Sequence, residues 1–164
     1  RKATIVVCDL TDRTGLRRHI ASLQYLDILV NNAGTSIPEP ILDVADASLD
    51  TMVGLNVTAL FVASQAAVRK MLETPDRKQR GGAIVNISSQ MGHVGAANRT
   101  VYCMTKHAVE GLTKAMAIEL APHRIRVHAV ALRLLTRRLP AASWIRQRSA
   151  AISNPASRPA SRIL

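Results

Sequence analysis

Tyr102 and Lys106 lie four residues apart in Thr100-Val-Tyr102-Cys-Met-Thr-Lys106, a spacing that brings a phenol and an ammonium onto one face of a helix. A positive charge one turn from a tyrosine favours the phenolate, which proton transfer near neutral pH requires of a phenol. Val101, Met104, Ala108, Leu112, Ala115 and Met116 recur at three- and four-residue steps around the pair. The spacing therefore predicts a helix over about 100–120 with an apolar stripe, ended by Pro122. Alone, a Tyr-x-x-x-Lys pattern arises often by chance.

Three other groups of residues have chemistry to offer. Asn31-Asn-Ala-Gly34 follows an apolar run. Its small side chains and backbone amides suit a ligand wall, and the asparagines can tie strand ends together; an ordinary Asn/Gly turn fits the same residues. Ile87-Ser88-Ser89 ends another apolar run; either serine can satisfy backbone groups, and Ser89 can instead donate to a carbonyl oxygen beside the Tyr102 hydroxyl. Asn56 interrupts a helical stretch between Leu55 and Val57, where asparagine competes for backbone hydrogen bonds. It faces solvent or takes a structured role, bending the helix or holding a water.

The elements that position these residues alternate. Thr4–Asp9, Leu26–Val30, Ala83–Ile87 and Ile125–Val130 read as short buried strands, and helical stretches over about 13–23, 48–73 and 100–120 separate them. Pro75 to Gly82 reads as a basic, polar loop. The order β-α-β-α-β-α-β predicts a parallel sheet covered by helices on both faces. Ligands then bind beyond the carboxyl ends of the strands, where Asp9, Asn31 and Ser88-Ser89 fall.

The chain has 164 residues, 48% of them apolar, and a net charge of +11. That charge is mostly a property of its end: residues 1–131 carry 15 Lys/Arg against 11 Asp/Glu, whereas 132–164 carry seven Arg and no acid. With only 2% aromatic residues there is no stacking platform for nucleic acid, and no nucleic-acid partner is expected. Residues 132–164, rich in Ser, Pro and Arg, read as a poorly ordered basic tail beyond a catalytic domain over 1–131. Cys8 and Cys103 fall in a predicted strand and helix, with no CxxC or metal-ligand spacing; buried free thiols and no metal are expected. No membrane span or secretory leader is legible, which favours the cytoplasm.

In order, Asp9, Asn31-Asn-Ala-Gly34, Asn56, Gly82-Ala-Ile-Val-Asn-Ile-Ser-Ser89 and Tyr102-Cys-Met-Thr-Lys106 resemble the motifs of the short-chain dehydrogenase/reductase family. The resemblance covers about residues 3–131 and implies a partial Rossmann-like three-layer α/β/α fold. It also implies NAD or NADP as cofactor and hydride transfer to or from a carbon bearing an alcohol or carbonyl, in a sugar, polyol or 3-oxoacyl substrate. The family's serine precedes its tyrosine by thirteen residues, which selects Ser89 over Ser88. Carried over, Tyr102 is the acid/base, Ser89 orients the substrate oxygen, Lys106 holds the nicotinamide ribose, and Asn56 completes a proton relay through water. Asp9 and Leu10 fall at the adenine-side contact; Asn31, Ala33 and Gly34 line the cofactor cleft. His93, Val94, Asn98 and Arg99 fall on the near wall of the substrate pocket. Self-association through the helices 48–73 and 100–120 is also implied.

The departures from the family are equally specific. The family's first strand, glycine-rich TGxxxGxG turn, following helix and second strand are not in these residues; without the first strand the strand 26–30 keeps an open edge, and without the turn and the second strand NAD and NADP are not told apart. Arg126-Val-His128-Ala-Val-Ala-Leu132 stands where the family continues RVNAVAPG or RVNAVAPT. Residues 132–164 then read as a frameshifted end without lid or last strand. A second function is therefore carried beside the first: a fragment with catalytic side chains but no competent cofactor site, acting through protein association.

Overall fold

The computed structural model describes residues 4–132 apart from Thr74 and Asp76; the predicted tail, apart from Leu132, lies outside the described residues. Helix α1 (Arg13–Ala21) starts where Asp12 accepts hydrogen bonds from the Thr14 and Gly15 amides at 3.1 and 3.0 Å, satisfying two of the donors a helix start leaves open. Strands β1 (Ile28–Asn31), β2 (Gly82–Ser89) and β3 (Ile125–Leu132) form one parallel sheet in the order β1-β2-β3. Asn31 pairs with Asn86, and Ser89 with Leu132. The Rossmann-like arrangement of a parallel sheet flanked by helices is present, with β3 running one residue past the expected boundary at 131.

Alternation along β2 sets which face is buried. Gly82, Ile84, Asn86 and Ser88 point into the core, and Ile84 packs with Ile125, Val127, Met71 and Leu120. A second cluster joins Leu16 and Ile20 of α1 to Val62, Ala63 and Ala66. On the other face of β1, Ile28 and Val30 are exposed.

The predicted helix 48–73 is three pieces: α2 (Asp46–Val53), a π turn (Gly54–Ala59) and α3 (Leu60–Leu72). The wide turn carries Asn56, which is buried, so the structured role holds and the solvent-facing one does not. The run Asp46–Leu72 is long and apolar enough by composition to cross a membrane. Here its Met52, Val62, Ala67 and Met71 are core residues of the sheet-and-helix layer.

Four expectations are corrected. Thr4–Asp9 forms no strand: no ladder reaches it among the described residues, and Ile5 and Val7 stay about nine-tenths exposed (89% and 94%). An apolar run becomes a strand only when a neighbour supplies its hydrogen bonds. Cys8 and Cys103 are free but only partly buried. The loop 75–82 contains a short helix, α4 (Arg77–Arg80), and ends in β2. Helix α5 (Thr100–Leu120) has its predicted bounds but a different inward face: Val101, Thr105, Lys106, Val109, Glu110 and Thr113 are buried, while Met104, Ala108 and Ala115 are exposed.

Candidate active site

Helix α5 presents Tyr102 and Lys106 one turn apart at the end of β2. The Lys106 ammonium is buried and donates to the Ile87 carbonyl at 2.8 Å, with its nitrogen 5.7 Å from the centre of the Tyr102 ring. Burial lowers its pKa from the usual lysine value, because a charged amine loses water there. One carbonyl occupies one of its three N–H donors. Tyr102 is half-buried, and its hydroxyl bonds to no protein group among the described residues.

Ser89 closes β2 and accepts from the Met91 amide at 3.2 Å, capping the short turn Gln90–Gly92. Its own hydroxyl proton is left to donate elsewhere. Ser88 points the other way, into the core, where its Oγ has no partner among the described residues. A Cβ placed on Gly92 would stand 3.0 Å from that Oγ, from the Lys106 carbonyl and from Glu110 Cγ, so the turn after Ser89 is seated directly on α5. Glu110 Oε1 lies 3.3 Å from His93 Nε2.

The opposite wall is the loop after β1. Asn56 Oδ1 accepts from the Thr35 amide at 2.8 Å, and Nδ2 donates to the Thr35 carbonyl at 2.8 Å and to Thr105 Oγ1 at 3.1 Å. Thr105 in turn donates to the Tyr102 carbonyl at 2.8 Å. A Cβ on Gly34 would lie 3.1 Å from Asn56 Oδ1 and 3.8 Å from Lys106 Nζ; a bare glycine keeps this wall open beside the ammonium. One residue further, Ser36 accepts from Arg99 at 2.6 Å.

Asn31 does tie strand ends together. Its Nδ2 donates to Ser64 Oγ at 2.9 Å and Asn86 Oδ1 at 2.8 Å; Asn86 donates to Thr113 Oγ1 at 2.9 Å, and Thr113 to the Val109 carbonyl at 2.7 Å. Spacing alone does not single out Asn86, Thr105 or Thr113, although a buried asparagine inside Ile84–Ile87 is itself a signal. Leu10, Asn31 and Ala33 line one cavity of about 230 Å³ with Leu29, Val30 and Leu55. Asp9, next to Leu10, is exposed, its Oδ1 accepting from the Thr11 amide and hydroxyl at 2.8 Å each; these bonds lower its pKa, the backbone one most. Thus Asn56, Gly34, Tyr102 and Lys106 gather in one place, and Leu10, Asn31 and Ala33 line a separate cavity.

Residues 1–139 match the family model for the short chain dehydrogenases. The chain belongs to that family. It is 41% identical to L-xylulose reductase of Mesocricetus auratus over 125 residues, 76% of this chain and 50% of that one. Among solved structures, a short chain dehydrogenase from Mycobacterium smegmatis superposes with a TM-score of 0.72 at 31% identity, over 79% of this chain and 53% of that one. ElxO, solved with NADP bound, does so at 0.69 and 30%, over 89% of this chain and 58% of that one. The chain thus spans about half the length of the curated relatives it matches. A nicotinamide cofactor fits the residues present at two places: the Lys106 ammonium with its free donors beside the opening at Gly34, and the cavity formed by Leu10, Asn31 and Ala33.

Proposed function

We propose that this short-chain dehydrogenase chain carries the proton-transfer half of an NAD(P)-dependent oxidoreductase acting on an alcohol or carbonyl of sugar, polyol or 3-oxoacyl type. The observation that carries the reading is the buried Lys106 ammonium, fixed on the Ile87 carbonyl beneath the Tyr102 ring. Its charge stabilises negative charge developing on the phenol oxygen, most strongly where water is thin. In the reducing direction Tyr102 Oη gives its proton to the substrate oxygen, while the Ser89 hydroxyl donates a hydrogen bond to the same oxygen and holds it in place. In the oxidising direction Tyr102 takes the proton back.

The nicotinamide supplies or accepts the hydride when bound. Lys106 would hold its ribose through the two donors not used by Ile87, with Asn31, Ala33 and Gly34 lining the cleft and Asp9 and Leu10 at the adenine side. Both Nδ2 donors of Asn56 are engaged with Thr35 and Thr105, and Oδ1 accepts from the Thr35 amide, so Asn56 would take part in a water relay as an acceptor. The sugar class draws support from the likeness to a protein named L-xylulose reductase. Self-association is part of the same proposal. The outward faces of α3 and α5 leave Phe61, Met104 and Ile118 exposed, apolar side chains that a second copy of the chain would cover. A cytoplasmic setting is proposed with it, on the two free thiols.

Titration of the chain with NADPH and NADH, followed by cofactor fluorescence, tests the reading. Saturable binding is expected, and Tyr102→Phe is expected to keep it while losing on the order of a hundredfold or more in turnover. Unchanged turnover removes Tyr102 from its role. Failure of a folded sample to bind either cofactor returns the alternative, a fragment acting through association.

A further inference from the structure

We propose that Arg99 selects substrates bearing an anionic group, a carboxylate or a phosphate monoester, within the active site proposed above and resting on that reading. Three consecutive residues of the loop after β1 connect the site to Arg99: Gly34 lies beside Lys106 and Asn56, the Thr35 backbone is bonded to Asn56, and Ser36 is bonded to Arg99. Arg99 is thereby tied to the loop that carries Gly34, and as the N-cap residue of α5 it precedes Tyr102 by three positions.

Its charge is what the fold leaves unexplained. Arg99 is half-buried, its one side-chain hydrogen bond goes to the neutral hydroxyl of Ser36 at 2.6 Å, and it has no ion pair among the described residues. Glu39, on the adjoining loop, donates from its amide to the Asn98 carbonyl at 3.1 Å and accepts from Ser48 through Oε1 at 3.0 Å; its Oε2 is buried without a partner among the described residues, and it forms no ion pair with Arg99. A guanidinium has five N–H donors in a planar fork suited to carboxylate and phosphate. A clamp between α5 and the loop needs only one of them and needs no charge, yet partial burial of an unpaired cation costs solvation. An anion on the substrate would offset that cost and use the remaining donors. The Ser36 bond fixes the fork at the rim, so the anionic group would lie a few atoms from the reacting carbonyl.

Binding to the 164-residue chain without cofactor tests this separately from hydride transfer. Two matched pairs of probes are titrated by ligand-observed NMR: levulinate against 2-pentanone, and dihydroxyacetone phosphate against dihydroxyacetone. The anionic member of at least one pair is expected to bind about tenfold more tightly, the worth of one charge-assisted contact; which pair does so separates a carboxylate from a phosphate. Arg99→Gln, checked for unchanged circular dichroism, is expected to abolish the preference, and Arg99→Lys to keep part of it. Equal affinity within both pairs, including no binding by any of the four, overturns the proposal. So does a preference that survives Arg99→Gln, which would assign the anion to Lys106. Loss of turnover in Tyr102→Phe bears on the oxidoreductase reading alone.

Discussion

Replacing Asn56 by alanine measures how firmly the cleft wall is held. The side chain makes three hydrogen bonds, two to the Thr35 backbone and one to Thr105, from a site only 1% exposed. At about 1 kcal/mol each their loss costs about 3 kcal/mol. Alanine returns roughly 0.6 kcal/mol as the better helix former. Asn56→Ala is thus expected to lower stability by about 2 kcal/mol, read as a shift in the urea midpoint at constant slope. A double-mutant cycle with Thr105→Val isolates the 3.1 Å bond and should return a coupling of about 0.5–1 kcal/mol. Because Thr35 follows Gly34, NADPH affinity should fall with stability. A stability change below about 0.5 kcal/mol, with affinity intact, would refute the assignment of Asn56 as the tie between helix and loop.

Lys106 gives a pH signature. Its pKa is lowered by burial from 10.5, so between the folded value and 10.5 the unfolded chain binds more protons and stability rises with pH. Below that window both states are protonated and the folded state bears the whole desolvation cost. Lys106→Met should abolish the alkaline rise in urea midpoint; a rise that persists would place its origin elsewhere. Ile118→Glu, at a residue 79% exposed on α5, should shift the sedimenting species toward monomer without changing circular dichroism, and an unchanged distribution would exclude that face.

Where the chain's polarity follows local need, its structure is legible in spacing. The span of α5 and the Tyr102/Lys106 pair are visible there because each depends on contacts close in the chain, and the strand around Ile84 is realised because β1 and β3 are both present to pair with it. The inward face of α5 departs from its apolar stripe for a physical reason: the site requires Thr105, Lys106 and Thr113 to reach Asn56, the Ile87 carbonyl and Asn86. Those polar residues take the buried side, and Met104 and Ala108 are turned out. The π turn is invisible in the sequence because it serves a loop twenty-one residues away. Thr4–Asp9 misleads because an apolar run states a preference, and only a neighbouring strand can fulfil it.

The chain of amides and hydroxyls from Ser64 through Asn31 and Asn86 to Thr113 also proofreads strand alignment. A slip of one residue between β1 and β2 would set Asn31 against Val85 or Ile87 instead of Asn86. Its amide would lose the Asn86 oxygen, and Asn86, wholly enclosed, would be left with an unanswered acceptor at a cost of about 1–3 kcal/mol. The same slip would turn the alternating side chains to the opposite face of the sheet, so the polar network and the apolar alternation specify one register. The same four residues thus admit a single arrangement of the strand ends, and that arrangement is the one in which Ala33, Gly34 and Ser89 emerge at the same rim.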